Sequence, residues 1–281
     1  MKWRCLDRTL DLSRHGEIMG IVNVTPDSFS DGGLFATVDA ALEQARRLIA
    51  EGAALIDIGG ESTRPGAAEV DEAEELQRVL PVISQLAAEH PDTILSIDTC
   101  KAGVAAAAVA AGARIINDVR GFRDAEMVRV AAESGAGLVV MHMSGTPRTM
   151  QSAPAYADLH GEITGFFRGR LDALIAAGVA AEAIVFDPGI GFGKTLDHNL
   201  SILRELDRYT IADRPILLGV SRKSFLAKVT GSDRIEDRAW GTVAITAHAR
   251  ELGTRLHRVH EVKSNLEALR MTEAILDGVL D

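Results

Sequence analysis

The sequence predicts an α/β fold, a (β/α)8 barrel of the TIM type. Three observations carry this. Eight short apolar runs each end in polar residues, alanine- and leucine-rich stretches with helical spacing separate them, and no Pro/Ser-rich linker or low-complexity break divides the 281 residues. Apolar runs buried on both faces belong to parallel sheets, and eight strand–helix units in a chain of this length match a closed barrel. A doubly wound open sheet is the competitor, and polar residues at every strand end favour closure.

The elements follow in order. Residues 18–24 lead to Thr25-Pro26-Asp27, 54–58 to Gly59-Gly60-Glu61, 93–97 to Asp98-Thr99, and 114–116 to Asn117-Asp118. Residues 137–141 lead to His142-Met143, 184–186 to Asp187, 215–220 to Ser221-Arg222-Lys223, and 254–259 to His260-Glu261. Helices are expected over 38–50, 69–89, 104–110, 124–133, 196–209, 239–251 and 266–276, where apolar residues recur at helical spacing. Residues 1–16 match no specific pattern and are expected to cap the barrel bottom, so 1–281 reads as one domain.

Asp187-Pro188-Gly189-Ile190-Gly191-Phe192-Gly193-Lys194 is the most informative stretch. A carboxylate stands where a strand ends, glycines behind it let backbone N–H groups approach a ligand, and a lysine closes the loop. An anion alone would be repelled by Asp187, so the segment suits a ligand with a donor-rich edge. The alternative is a glycine-rich turn with Asp187 as a helix N-cap. The recurrence of polar strand ends favours the ligand, because a barrel gathers them on one face. Asn23, Asp57, Asp98, Asn117, Asp187, Lys223, Arg258 and His260 then surround one cavity. For Asp98 the alternative is a helix N-cap, for Asn117 a turn residue, for His260 a core histidine, and for Asp57 support of the site floor.

Composition sets the outer bounds. The formal net charge of −10 argues against nucleic acid as a partner, so an anionic substrate must be drawn by local Arg and Lys. Cys5 and Cys100 have no metal-ligand spacing and suggest no disulfide framework, which fits a reducing cytoplasm. No zinc-type cluster is expected. Lys2, Arg4, Asp7 and Arg8 leave no apolar leader core, and no run approaches a membrane span.

Two segments, 21–33 (Ile-Val-Asn-Val-Thr-Pro-Asp-Ser-Phe-Ser-Asp-Gly-Gly) and 57–66 (Asp-Ile-Gly-Gly-Glu-Ser-Thr-Arg-Pro-Gly), are followed in order by Ser96-Ile97-Asp98-Thr99, Ile116-Asn117-Asp118, 187–194, Ser221-Arg222-Lys223 and Arg258-Val259-His260. On these residues the chain resembles the dihydropteroate synthase family of pterin-binding enzymes, over about 18–276. The resemblance implies a barrel that condenses a dihydropterin pyrophosphate with p-aminobenzoate. It implies a pterin pocket of Asp98, Asn117, Asp187, Lys223 and Arg258, a p-aminobenzoate site of Thr63, Arg64, Pro65, Phe192 and Ser221, and diphosphate contacts from Asn23, Thr63, Arg64, Arg258 and His260. Asn23 would hold Mg²⁺, and Asn23, Arg64, Lys223, Arg258 and His260 would carry the reaction. Side-chain chemistry agrees for the pterin: a carboxylate can accept the paired N–H groups of an aminopyrimidinone edge.

The loops 25–33 and 61–66 are expected to move as lids, and the run from Arg222 to Leu226 to start a helix facing the p-aminobenzoate carboxylate. A homodimer is implied by the family, with apolar faces on 239–251 and 266–276 available to pair. Glu261 departs from the family's usual Asp. Two other readings share the pocket. A corrinoid-linked methyltransferase domain would not need Asn23, Arg64 and His260 around a diphosphate, and a non-catalytic pterin binder would lose Thr63-Arg64-Pro65.

Overall fold

Each of the eight apolar runs becomes a strand, and the strands stand side by side in parallel. In this computed structural model residues 1–25, 33–62, 69–145, 150, 154–232 and 234–278 are described, the side chains of 33–36 aside. Strands β1 (Lys2–Cys5) and β2 (Arg8–Asp11) form an antiparallel hairpin ahead of the barrel. The barrel strands are β3 (Glu17–Asn23), β4 (Leu55–Gly59), β5 (Ile94–Asp98), β6 (Ile115–Asp118), β7 (Gly137–Met141), β8 (Ile184–Asp187), β9 (Leu217–Gly219) and β10 (Leu256–Val259). They pair in the order β8-β7-β6-β5-β4-β3-β10-β9. A parallel bridge between Phe186 and Ile216, with the Phe186 N–H donating to the Pro215 carbonyl at 3.1 Å, brings the ends of this row together.

Helices fill the crossovers: α1 (Gly33–Ala50), α2 (Glu72–Glu89), α3 (Ala102–Ala110), α4 (Ala125–Ser134), α5 (Leu159–Ala176), α6 (Leu196–Arg204), α7 (Ser224–Thr230), α8 (Ala239–Glu251) and α9 (Val262–Asp277). Their starts follow local chemistry. Asp71 caps α2 and Asp124 caps α4 through their side chains, and Thr195 opens α6 in a reciprocal box with His198. The helix expected over 196–209 stops at Arg204 and tightens into a 3-10 turn at Leu206–Tyr209.

Strand alternation positions the site. Met19, Leu55, Ile94, Ile115, Val139, Val185, Leu217 and Leu256, one from each barrel strand, cluster with Trp3, Cys5 and Leu12 of the N-terminal segment. Side chains two residues further along a strand return to the same face. That step turns Leu55 into Asp57, Ile94 into Ser96, Ile115 into Asn117, Val185 into Asp187 and Leu256 into Arg258. The inner face is therefore apolar at the N-terminal end of the strands and polar toward the C-terminal end.

Candidate active site

Asp57 is the hub of the floor. Its fully buried carboxylate accepts from Ser96 Oγ at 2.5 Å, Asn117 Nδ2 at 3.0 Å and Arg258 Nε at 2.5 Å. The other arm of the Arg258 guanidinium donates to Asp98 Oδ2 at 2.7 Å. One planar fork thus joins two carboxylates from neighbouring strands, and Asn117 and Arg258 are held at fixed angles by a shared acceptor. Asp98 does not cap the following helix; Lys101 occupies that position.

The glycine loop makes one wall. Asp187 Oδ1 accepts from the Gly189 N–H at 2.7 Å, and the N-cap of α6 is Thr195, so Asp187 is not a helix cap. Gly189, Gly191 and Gly193 all adopt positive φ, between 64° and 83°, a region that glycine enters without steric cost. Asn199 Oδ1 accepts from the Gly191 N–H at 2.8 Å and ties the loop to α6. Lys223 donates to the Ile190 carbonyl, and its ammonium lies 4.6 Å from the centre of the Phe192 ring. Lys194, expected to close a ligand-facing loop, is buried and turned toward protein acceptors.

On the rim, Ser221 Oγ lies 2.9 Å from His260 Nδ1 and accepts from the His260 N–H at 3.2 Å. Arg222 has φ of 59°, and its Nε donates to Glu261 at 2.7 Å. The left-handed turn at Arg222 delays the helix expected from that residue: α7 begins at Ser224, with Lys223 as N-cap. Glu261 is thus the partner that holds Arg222. Thr63, Arg64 and Pro65 lie outside the described residues, as do most of the loops over 25–33 and 61–66.

Burial and charge compete here. Burial pushes Asp98 up to about 7, with Arg258 pulling down and Asp57 pushing up. Asp187 is also raised by burial, against Lys223, the Gly189 N–H, Arg258 and Lys194. Lys223 is pushed down by burial to about 8 despite Asp187. Displaced groups gathered in one cleft point to a functional site.

A cavity of about 650 Å³ opens at this end of the barrel, and Asn23, Asp98, Asn117, Asp187, Phe192, Ser221, Lys223, Arg258 and His260 all line it. Reading the sequence for strand-end polar residues missed Ile21, Val119, Met141, Asn199 and Ser224, which share the wall. Ile21 and Met141 were findable by alternation, two residues beyond Met19 and Val139. Val119, Asn199 and Ser224 come from loops and helix starts whose approach depends on the assembled barrel.

Fold and site together define a barrel protein with a pocket lined by charged residues at the C-terminal ends of its strands. The chain belongs to the pterin binding enzyme family, whose pattern it matches over residues 19–260. It is 44% identical over 278 residues to the dihydropteroate synthase of Escherichia coli K12, covering 99% of this chain and 98% of that one. The Yersinia pestis dihydropteroate synthase, solved with a sulfonamide drug complex, superposes with a TM-score of 0.92 at 45% identity, covering 98% and 99% of the two chains. The Xanthomonas albilineans enzyme in complex with 7,8-dihydropteroate gives 0.89 at 41%, covering 99% of each.

Proposed function

We propose that this chain condenses 6-hydroxymethyl-7,8-dihydropterin pyrophosphate with p-aminobenzoate, giving 7,8-dihydropteroate and pyrophosphate, a step of folate biosynthesis. The observation that carries this reading is the meeting of Asp98, Asn117, Asp187 and Lys223 on the wall of one cavity in a chain of this family. The dihydropterin presents its amino and ring N–H groups to Asp187, a further ring N–H to Asp98, and the rest of its edge to Asn117. Lys223 donates to the carbonyl oxygen or a ring nitrogen, and the flat guanidinium of Arg258 stacks on the ring. Arg258 and His260 meet the diphosphate together with Asn23, Thr63 and Arg64. Phe192 and Ser221 line the p-aminobenzoate end with Thr63, Arg64 and Pro65, and sulfonamides, which mimic that substrate, compete there.

The bond from the pterin methylene to the diphosphate oxygen breaks with both electrons leaving on oxygen. The electron-rich ring spreads the positive charge left on the methylene. The aniline nitrogen of p-aminobenzoate then supplies a lone pair, a C–N bond forms, and the nitrogen sheds a proton. This sequence needs preorganised charge more than a strong base, and the fixed fork of Arg258 between Asp57 and Asp98 supplies it.

Asn23 offers a neutral oxygen on the cavity wall, a donor suited to Mg²⁺. Among the described residues no group of three or more His, Cys, Asp or Glu could hold a metal. A cation held by Asn23 would take its remaining ligands largely from diphosphate and water. Bound there, Mg²⁺ offsets the charge of the diphosphate.

A homodimer is the assembly we infer, since Trp240 of α8 and Met271 and Ile275 of α9 are 76%, 64% and 76% exposed. No helix among the described residues is long and apolar enough to cross a membrane, and both cysteines are free; the cytoplasm is the compartment that suits them. The test is to incubate the protein with dihydropterin pyrophosphate, p-aminobenzoate and Mg²⁺. Dihydropteroate and pyrophosphate should appear in equal amounts. Pyrophosphate release without consumption of p-aminobenzoate, or no release, overturns the reading.

A further inference from the structure

Lys194 ends the glycine motif, yet the chemistry above makes no use of it. Its side chain is buried, 3% exposed. The ammonium has three N–H groups, and three acceptors surround it: the Phe192 carbonyl at 3.0 Å, His142 Nδ1 at 3.1 Å and the His142 carbonyl at 3.4 Å. Lys194 reaches the cavity wall, yet its ammonium is turned to these protein acceptors. Burial drives Lys194 down to about 7 against the pull of Asp187, so a buried ammonium here is costly. All three bonds go to the glycine loop and to the residue just beyond β7.

The surroundings confirm that the two segments are seated on each other. A Cβ on Gly189 would collide with the His142 carbonyl oxygen, and one on Gly193 would lie 2.5 Å from the Ser144 carbonyl oxygen. Tyr156 adds a hydroxyl donating to the Gly193 carbonyl at 2.9 Å. What the loop carries on its other side is the Phe192 ring beneath Lys223.

We propose that Lys194 is a positioning residue for the amine substrate: acting through the Phe192 carbonyl and His142, it holds the Phe192 ring in the cavity wall. The proposal rests on the reading that Phe192 lines the p-aminobenzoate end. Asp187 stands on β8 and accepts from the Gly189 N–H with no bond to Lys194, so the pterin end should lose only the influence of a nearby positive charge.

The experiment measures p-aminobenzoate KM, kcat and dihydropterin pyrophosphate affinity for the full chain, four single variants and one double variant. Lys194→Met should raise the p-aminobenzoate KM at least about tenfold, the loss of a hydrogen bond to a charged group. Pterin affinity and kcat should stay within about threefold, well under 1 kcal/mol. Tyr156→Phe, which removes one hydroxyl, should shift KM in the same direction by less. His142→Asn keeps an acceptor near the Nδ1 position and should remain close to wild type. His142→Leu, which removes one of the three bonds, should raise KM by less than Lys194→Met, and adding it to Lys194→Met should raise KM little further, because the bond the two residues share is already lost. A merely structural lysine would lower the melting temperature and leave KM alone; a folded Lys194→Met with wild-type KM overturns the proposal. If Lys194→Met does not fold, the Tyr156 and His142 variants decide by the same criterion, unchanged KM in Tyr156→Phe and His142→Leu overturning it. Wild-type protein that makes no dihydropteroate removes the functional reading instead, which separates the two failures.

Discussion

At the scale of single residues, the two acids joined by Arg258 are treated differently by their surroundings. Asp57 collects three donors from three strands, whereas Asp98 has Arg258 as its side-chain partner and still faces the cavity. Asp57 therefore positions neighbours, and Asp98 is left to meet a ligand. Asp98 is ionised above about 7 and Lys223 is charged below about 8. An ionised carboxylate accepts a pterin N–H more strongly than a protonated one, so affinity should fall as pH drops below the first value. It should fall again above the second, as the Lys223 charge is lost. The groups acting on this pair, Arg258, Asp57, Glu75, Asp118, Asp187 and Lys194, modify the limbs without reversing their signs. Calorimetry with a pterin lacking the diphosphate, so that phosphate titration does not intervene, checks this; Asp98→Asn should abolish the acid limb. Asp187→Ala removes charge-assisted hydrogen bonds worth about 1.5–3 kcal/mol each, so pterin affinity should fall by at least about tenfold. An unchanged affinity in that variant would move the pterin edge elsewhere in the cavity.

At the scale of elements, what the chain disclosed in advance depended on how local its cause was. Strands were legible because short apolar runs closed by a polar residue are a local signal, and so was the polar inner face, which is that signal read at period two. The helix α5 was not: Ile163, Phe167, Leu171 and Leu174 have the right spacing, but Gly161, Gly165 and Gly169 lower its intrinsic propensity, and packing overrides them. The hairpin of β1 and β2 was also missed as structure, since only Trp3 and Cys5 alternate into the core and its second strand stays mostly exposed. Support of the site floor by Asp57 could be read in advance, but not which side chains share it: a shared acceptor is defined by which strands meet, and no spacing encodes that. The loop over 187–194 shows the reverse case, where sequence and structure agree on why glycine is needed. Gly189 sits at φ 68° against the His142 carbonyl. Gly189→Ala should therefore cost more than about 1 kcal/mol through φ alone, before the clash is counted. A lowered melting temperature together with weakened pterin binding is expected; a variant with normal values of both would mean that the loop has a second, alanine-compatible path.

At the scale of the whole molecule, the barrel separates stability from chemistry along its axis. The N-terminal end of the strands is plugged by an apolar layer in which Trp3, Cys5 and Leu12 are fully buried. Trp3 also donates its indole N–H to the Ala183 carbonyl at 2.9 Å, just ahead of β8. The polar cavity opens at the opposite end, beyond Asp57, Asn117 and Arg258. Conserving this division predicts opposite outcomes for substitutions at the two ends. Trp3→Ala should destabilise the fold by about 3–5 kcal/mol, because a large buried side chain is lost and a cavity remains. The loss should be read as a lower urea midpoint with an unchanged slope, the sign of weakened packing in an otherwise similar native state. Substrate affinities measured well below that midpoint should match the parent protein, since Trp3 packs in the apolar layer and is not among the described residues lining the cavity. Impaired pterin binding in a folded Trp3→Ala protein would show that the plug sets the spacing of the strand ends, and that the two ends of the barrel are mechanically coupled.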